Sequence, residues 1–181
     1  MKILIIYGTT EGQTRKIARY MEEHLQETGN NVVISDAADD PPSPDGFDVV
    51  VLGGSMHMMK YQNALGHYVH DHAAALNRMP SAFFSVSLGI ATLEEKELTE
   101  ARRIAEGFVE ERGWKPGRIE LIAGALKYTQ YDWFKRMVMR MIASKQGGDV
   151  DTSRDHEYTN WEQVKTFCDE LVAIPVRRSV S

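Results

Sequence analysis

The sequence predicts an α/β domain, a parallel sheet covered by helices on both faces. Short β-branched apolar runs alternate with longer amphipathic stretches from Lys2 to about Gly124. Glycines stand where the amphipathic stretches stop, at Gly29 and Gly113. The 181 residues show no internal repeat, low-complexity tract or linker, so one core is expected.

The elements follow in order. KILIIY (2–7) is a buried strand, β-branched and bounded by glycine. Gly12 to about Thr28 is helical, with Ile17, Tyr20, Met21 and Leu25 on one face. NVVISD (31–36) is the second strand, followed by a Pro-rich loop over 39–46. FDVVVLGG (47–54) is the third strand, and Gln62 to Leu76 the second helix. SAFFSVSL (81–88) is the fourth strand, Glu94 to Arg112 the third helix and RIELIAG (118–124) the fifth strand. A last helix opens at Thr159, with Glu162 completing a capping box, and runs through Trp161, Val164, Phe167 and Leu171. One domain spans 1–175, with a basic Met-rich insertion at about 125–157 and a frayed tail at 176–181.

Composition narrows the function. Net charge is −5, which argues against a nucleic-acid partner. The single cysteine, Cys168, excludes an internal disulfide and a metal site of several thiolates. A reducing cytoplasm follows as the expected compartment, with no signal peptide and no run of roughly 20 apolar residues to span a membrane. The charge is uneven: Gly113–Gly148 holds seven basic residues against two acidic ones.

The chemistry is expected at the first strand-to-helix loop. YGTTEGQT (7–14) packs two glycines and three threonines into eight residues, with no lysine or arginine. Helix N-terminal N–H groups bind phosphate, and Thr9, Thr10 and Thr14 add hydroxyls while Gly12 lets the backbone close in. The loop is neither a dinucleotide G-x-G-x-x-G nor a P-loop, since Gln13 and Thr14 follow Gly12.

T-x-E-G-x-T after the first strand resembles the phosphate loop of flavodoxins. That resemblance implies FMN, a doubly wound five-stranded parallel sheet of order 2-1-3-4-5, and ligand contacts from Thr9, Thr10, Glu11, Gly12, Gln13 and Thr14. The loops after the third and fourth strands are then expected to hold the isoalloxazine. In the first, Gly53 and Gly54 allow close approach, Ser55, Met56 and Met58 border the ring, and His57 or Tyr61 stacks on it. In the second lie Ser87, Leu88, Gly89, Ile90 and Ala91, with no aromatic side chain. His57 is the candidate proton acceptor; the methionines and His57 equally suit packing within their loop.

YDWFKRMVMRMIASK (131–145) has an apolar stripe of Phe134, Met137 and Met141 flanked by cations. It suits a helix lying on an anionic membrane and equally an ordinary helix packed on the sheet. Stretches 11–18, 79–88, 122–142 and 147–164 resemble the flavodoxin-type protoporphyrinogen oxidases, the quinone-dependent protoporphyrinogen IX dehydrogenases. The resemblance implies FMN-dependent oxidation of protoporphyrinogen IX, with menaquinone or ubiquinone as acceptor, on a protein peripheral to the membrane. Lys127, Lys135, Arg136 and Arg140 are candidates for anionic groups, and Tyr128, Trp133 and Phe134 for the apolar surface. Residues 89–113 are more acidic than that family's pattern, which keeps open a soluble electron carrier or a flavin-dependent quinone reductase.

Overall fold

The computed structural model describes residues 1–126 and 156–173. Five strands form one parallel sheet: β1 (Lys2–Gly8), β2 (Asn31–Asp36), β3 (Val49–Ser55), β4 (Ser81–Ser87) and β5 (Arg118–Ala123). Their order is β2-β1-β3-β4-β5, with every neighbouring pair parallel. The helices are α1 (Gln13–Glu27), α2 (Asn63–Leu76), α3 (Glu95–Glu110) and α4 (Trp161–Val172), with a 3₁₀ turn at Gly89–Thr92.

Alternation along the strands sorts the core into two halves. Ile3, Ile5, Val49, Val51, Phe84 and Ile122 face α1 and α4, which contribute Ile17, Met21, Phe167 and Leu171. Leu4, Ile6, Val50, Leu52 and Phe83 face α2 and α3, where Leu65, Val69, Ala105 and Phe108 meet them. Two helices thus cover each face, and the order turns back between β1 and β3. The carboxyl ends of those strands open the crevice where a doubly wound sheet binds its ligand.

Beyond β5 the chain passes through β6 (Ala125–Leu126), which pairs antiparallel with β7 (His156–Glu157). The segment between them, with the expected helix 131–145 and Lys127, Tyr128, Trp133, Phe134, Lys135, Arg136 and Arg140, lies outside the described residues, as does the tail 176–181.

Several boundaries shift by one or two residues from the sequence reading, and two of the shifts have a visible cause. β3 starts at Val49, because Phe47 N–H donates to Pro44 O in a turn (3.3 Å) and Asp48 Oδ2 caps Lys2 N–H at 2.7 Å. The last helix is capped by Asn160, whose Oδ1 accepts from Gln163 N–H at 3.1 Å. Thr159 is not the cap: its hydroxyl donates to Ala123 O at 2.7 Å and accepts from Gln13 Nε2 at 2.9 Å.

Candidate functional site

The loop after β1 is built to receive an anion. Gly12 precedes α1 with φ of 93°, a left-handed conformation that favours glycine, and its N–H donates to Thr9 Oγ1 at 2.9 Å. No side chain caps α1 and its first turn holds no acid, so its opening N–H groups keep their partial positive charge. Thr14 is fully buried in that turn, and its Oγ1 has no hydrogen-bond partner. Lys16, in the first turn of α1, is engaged elsewhere: its Nζ pairs with Glu157 and sits 5.4 Å from the Trp161 ring centroid.

The loops after β3 and β4 complete the crevice. Gln62 precedes α2 and reaches back, its Nε2 donating to Thr10 Oγ1 at 2.9 Å and to Ser55 O at 3.2 Å. Its Oε1 is buried without a partner, and so is Ser87 Oγ at the end of β4. Three orphaned polar atoms therefore sit one on each loop of the crevice. Leaving such a group unpaired costs roughly 1–3 kcal/mol, so three together mark a place where a polar ligand completes the bonding.

The β3–α2 loop is also strained. Met58 and Met59 have φ of 48° and 64°. They form a tight turn in which His57 and Lys60 exchange backbone hydrogen bonds at 2.9 and 3.0 Å. Both methionines are exposed, by 79% and 59%, as is Leu93 at 72% just after the 3₁₀ turn. Between these loops and α3 lies a groove of about 210 Å³, bordered by Met56, His57, Met58, Ser87 and Gly89.

Comparison with known proteins bears on this crevice. The flavodoxin domain model matches residues 4–153. The chain belongs to the flavodoxin domain family. Protoporphyrinogen IX dehydrogenase [quinone] of Escherichia coli K12 is 38% identical over 172 residues, 94% of each chain. The protein of that name from Leishmania major is 30% identical, covering 97% of this chain and 76% of its own. Among solved structures, oxidised flavodoxin 1 from Bacillus cereus superposes with a TM-score of 0.59 at 16% identity, covering 97% of this chain and 99% of that one.

Membership of the flavodoxin family makes the ligand a flavin, and the crevice fits one. The uncapped α1 N-terminus and Thr14 hydroxyl suit its anionic end, and Gln62 Oε1 and Ser87 Oγ suit polar edges further along. The sequence-derived site residues divide into three groups. Thr9, Thr10, Glu11, Gly12, Gln13 and Thr14 are gathered in the β1–α1 loop and the start of α1, and Ser55, Met56, His57, Met58, Ser87 and Gly89 border the other loops. Leu88 and Ile90 are buried, Leu88 in the wall of the groove, and Ala91 is half-buried in the 3₁₀ turn.

Two expectations need correction. Tyr61 does not offer an open stacking face: its ring packs on Phe108 and Phe83 at 4.6 and 5.3 Å between centroids, and its hydroxyl bonds Ser85 Oγ at 2.7 Å. Burial pushes that phenol up to about 12. Gly53 and Gly54 admit the protein's own rings. A Cβ on Gly53 would lie 1.9 Å from Phe84, and one on Gly54 would lie 2.5 Å from Tyr61. Sequence reasoning missed Gln62 as a ligand group, because its role depends on a threonine 52 residues away.

Proposed function

We propose that this protein is an FMN-dependent oxidoreductase that oxidises protoporphyrinogen IX to protoporphyrin IX and passes the electrons to a quinone, menaquinone or ubiquinone. The supporting observation is the match to the E. coli dehydrogenase, which runs through 94% of both chains, insertion included. The likeness to the Bacillus flavodoxin, at 16% identity, speaks for the fold alone.

The chain's own groups take these roles. The α1 N–H groups and the Thr14 hydroxyl hold the FMN phosphate, with Thr9 and Thr10 shaping the loop around it. Lys16 is not assigned to the phosphate, since its ammonium pairs with Glu157. Gln62 Oε1 and Ser87 Oγ meet polar atoms of the flavin, and Met56 and Met58 border the adjoining groove. FMN when bound supplies two-electron redox chemistry, so the six-electron oxidation proceeds in three rounds. The His57 imidazole lines the same groove and is the group to test as a proton acceptor. Peripheral contact with a membrane quinone is part of the same proposal; no helix among the described residues is long and apolar enough to cross a membrane.

The test is anaerobic. FMN-loaded protein is given protoporphyrinogen and a soluble naphthoquinone while porphyrin fluorescence is followed. The expected result is a catalysed rise that requires both flavin and quinone. A rate equal to that without protein overturns the proposal and leaves a flavodoxin-fold carrier or a reductase for another substrate.

A further inference from the structure

A second groove, of about 350 Å³, lies between α2 and α3. Met59 and Ile104 line both this groove and the one bordered by Ser87 and Gly89, so the two adjoin across an apolar divide formed by these side chains. Two cations in its wall, Lys60 and Arg112, have no strong carboxylate partner among the described residues.

Arg112 is held in advance. Its Nη1 donates to Phe108 O at 2.8 Å, and the guanidinium carbon stands 4.1 Å from the Phe108 ring centroid. Gly66 on α2 leaves the slot it occupies, since a Cβ there would come within 3.0 Å of Arg112 Nε. Its acidic neighbour Glu111 is 3.5 Å away and 76% exposed, a weak pair. A guanidinium fixed this way, with donors left over, is suited to carboxylate recognition. Lys60 stands at the foot of the Met58–Met59 turn, exposed, with no ion pair among the described residues. Arg103, in the same groove, is already engaged by Glu100 through two bonds of 2.6 and 2.9 Å.

Charge also sorts the two grooves. Glu97 and the Arg103-paired Glu100 border the one nearest the flavin loops, and Glu97 disfavours carboxylates at the redox end. From Ala101 to Phe108, α3 spans roughly 10 Å at its rise per residue, so the ligand must be long enough to bridge an apolar stretch of that order. A quinone headgroup carries no anion to use the far end; a tetrapyrrole with propionate arms does.

We propose that Lys60 and Arg112 bind the propionate carboxylates of the porphyrinogen, with its macrocycle crossing Met59 and Ile104 toward the flavin loops. This rests on the functional reading above. The test compares Lys60→Gln and Arg112→Gln with the parent protein, all FMN-loaded. Binding of protoporphyrin IX and of its dimethyl ester is read by fluorescence, and KM and kcat for protoporphyrinogen are measured beside it. The parent is expected to prefer the diacid by about tenfold or more, and each variant to lose roughly tenfold for the diacid and nothing for the ester, raising KM while kcat holds. Unchanged ester binding shows that the site is intact, and exposed Lys60 gives a variant whose folding is not at risk. If the parent turns over porphyrinogen while both variants keep the full preference for the diacid, this assignment is overturned and the activity stands. If the parent oxidises no porphyrinogen, the functional reading falls, and this assignment falls with it.

Discussion

At the scale of single residues, Thr14 carries the sharpest consequence. A hydroxyl buried without a partner destabilises the apoprotein, and the same hydroxyl gains a bond when an anion arrives. Thr14→Val keeps the shape and removes the oxygen. The expected outcome is an apoprotein at least as stable as the parent in thermal unfolding, with FMN affinity weakened by about tenfold, one charge-assisted bond, in a fluorescence titration. A variant that melts lower and binds FMN equally would make Thr14 a packing residue. Gln62 and Ser87 belong to the same argument, since each has a buried oxygen with no hydrogen-bond partner. Thr14 was legible because its motif is local, a Thr/Gly loop between a strand and a helix. Gly53 and Gly54 were legible only by half: the sequence shows that something approaches closely there. Whether that is a ligand or Phe84 and Tyr61 depends on residues brought in by other elements.

Secondary-structure elements were the most legible level, because strands buried on both faces read as apolar runs and helices as periodic faces. The errors fall where a side chain is committed elsewhere. Thr159 heads a plausible capping box, yet its hydroxyl is taken by Ala123 O, and the cap passes to Asn160. The Met58–Met59 turn holds two non-glycine residues in the left-handed region, where each costs roughly 1–2 kcal/mol. Met59→Gly is therefore expected to raise the unfolding free energy by about 1 kcal/mol, seen as a higher denaturant midpoint at unchanged slope, while removing one exposed apolar side chain from between the grooves. A variant no more stable than the parent would show that Met59 regains the strain through contacts. Between α1 and α4, Asp169 accepts from His24 Nε2 at 2.6 Å and from Lys165 at 3.0 Å. These bonds, His24 first, hold its carboxyl below the usual carboxylate range. A depressed carboxylate contributes stability above its unfolded value of about 3.9, and that stability is lost as pH falls through the folded value. Asp169→Asn is expected to lower stability slightly near pH 7, a small effect at an exposed pair, and to converge with the parent as pH falls below about 3.9, so that the acid side of its profile is flatter.

For the whole molecule, the two-faced sheet makes the single cysteine a reporter of global opening. Cys168 is fully buried between α4 and the sheet, and burial pushes its thiol up to about 12. Ellman's reagent is expected to leave it untouched under native conditions and to react in step with unfolding across a denaturant series. Fast native labelling would mean that α4 opens by itself. The sheet order and the two-sided covering were legible from the alternation of elements and the family resemblance. The cationic groove at Lys60 and Arg112 was not, since it joins a loop after β3 to the end of α3 across Gly66.

The pairing of β6 with β7 has a consequence for descent. Leu126 and His156 are register partners, so the chain leaves the sheet edge and returns to it at one doorway. Gly124 and Thr159 moor that doorway to Ser87 O and to Gln13. An ancestral carrier could acquire or shed everything between those two positions without reordering a single strand of the parallel sheet. Replacing 127–155 by Asn-Gly would turn β6 and β7 into a minimal hairpin, and the result should still bind FMN. The four residues of β6 and β7 are thus a seam at which the parallel sheet can be kept while the segment between them is exchanged.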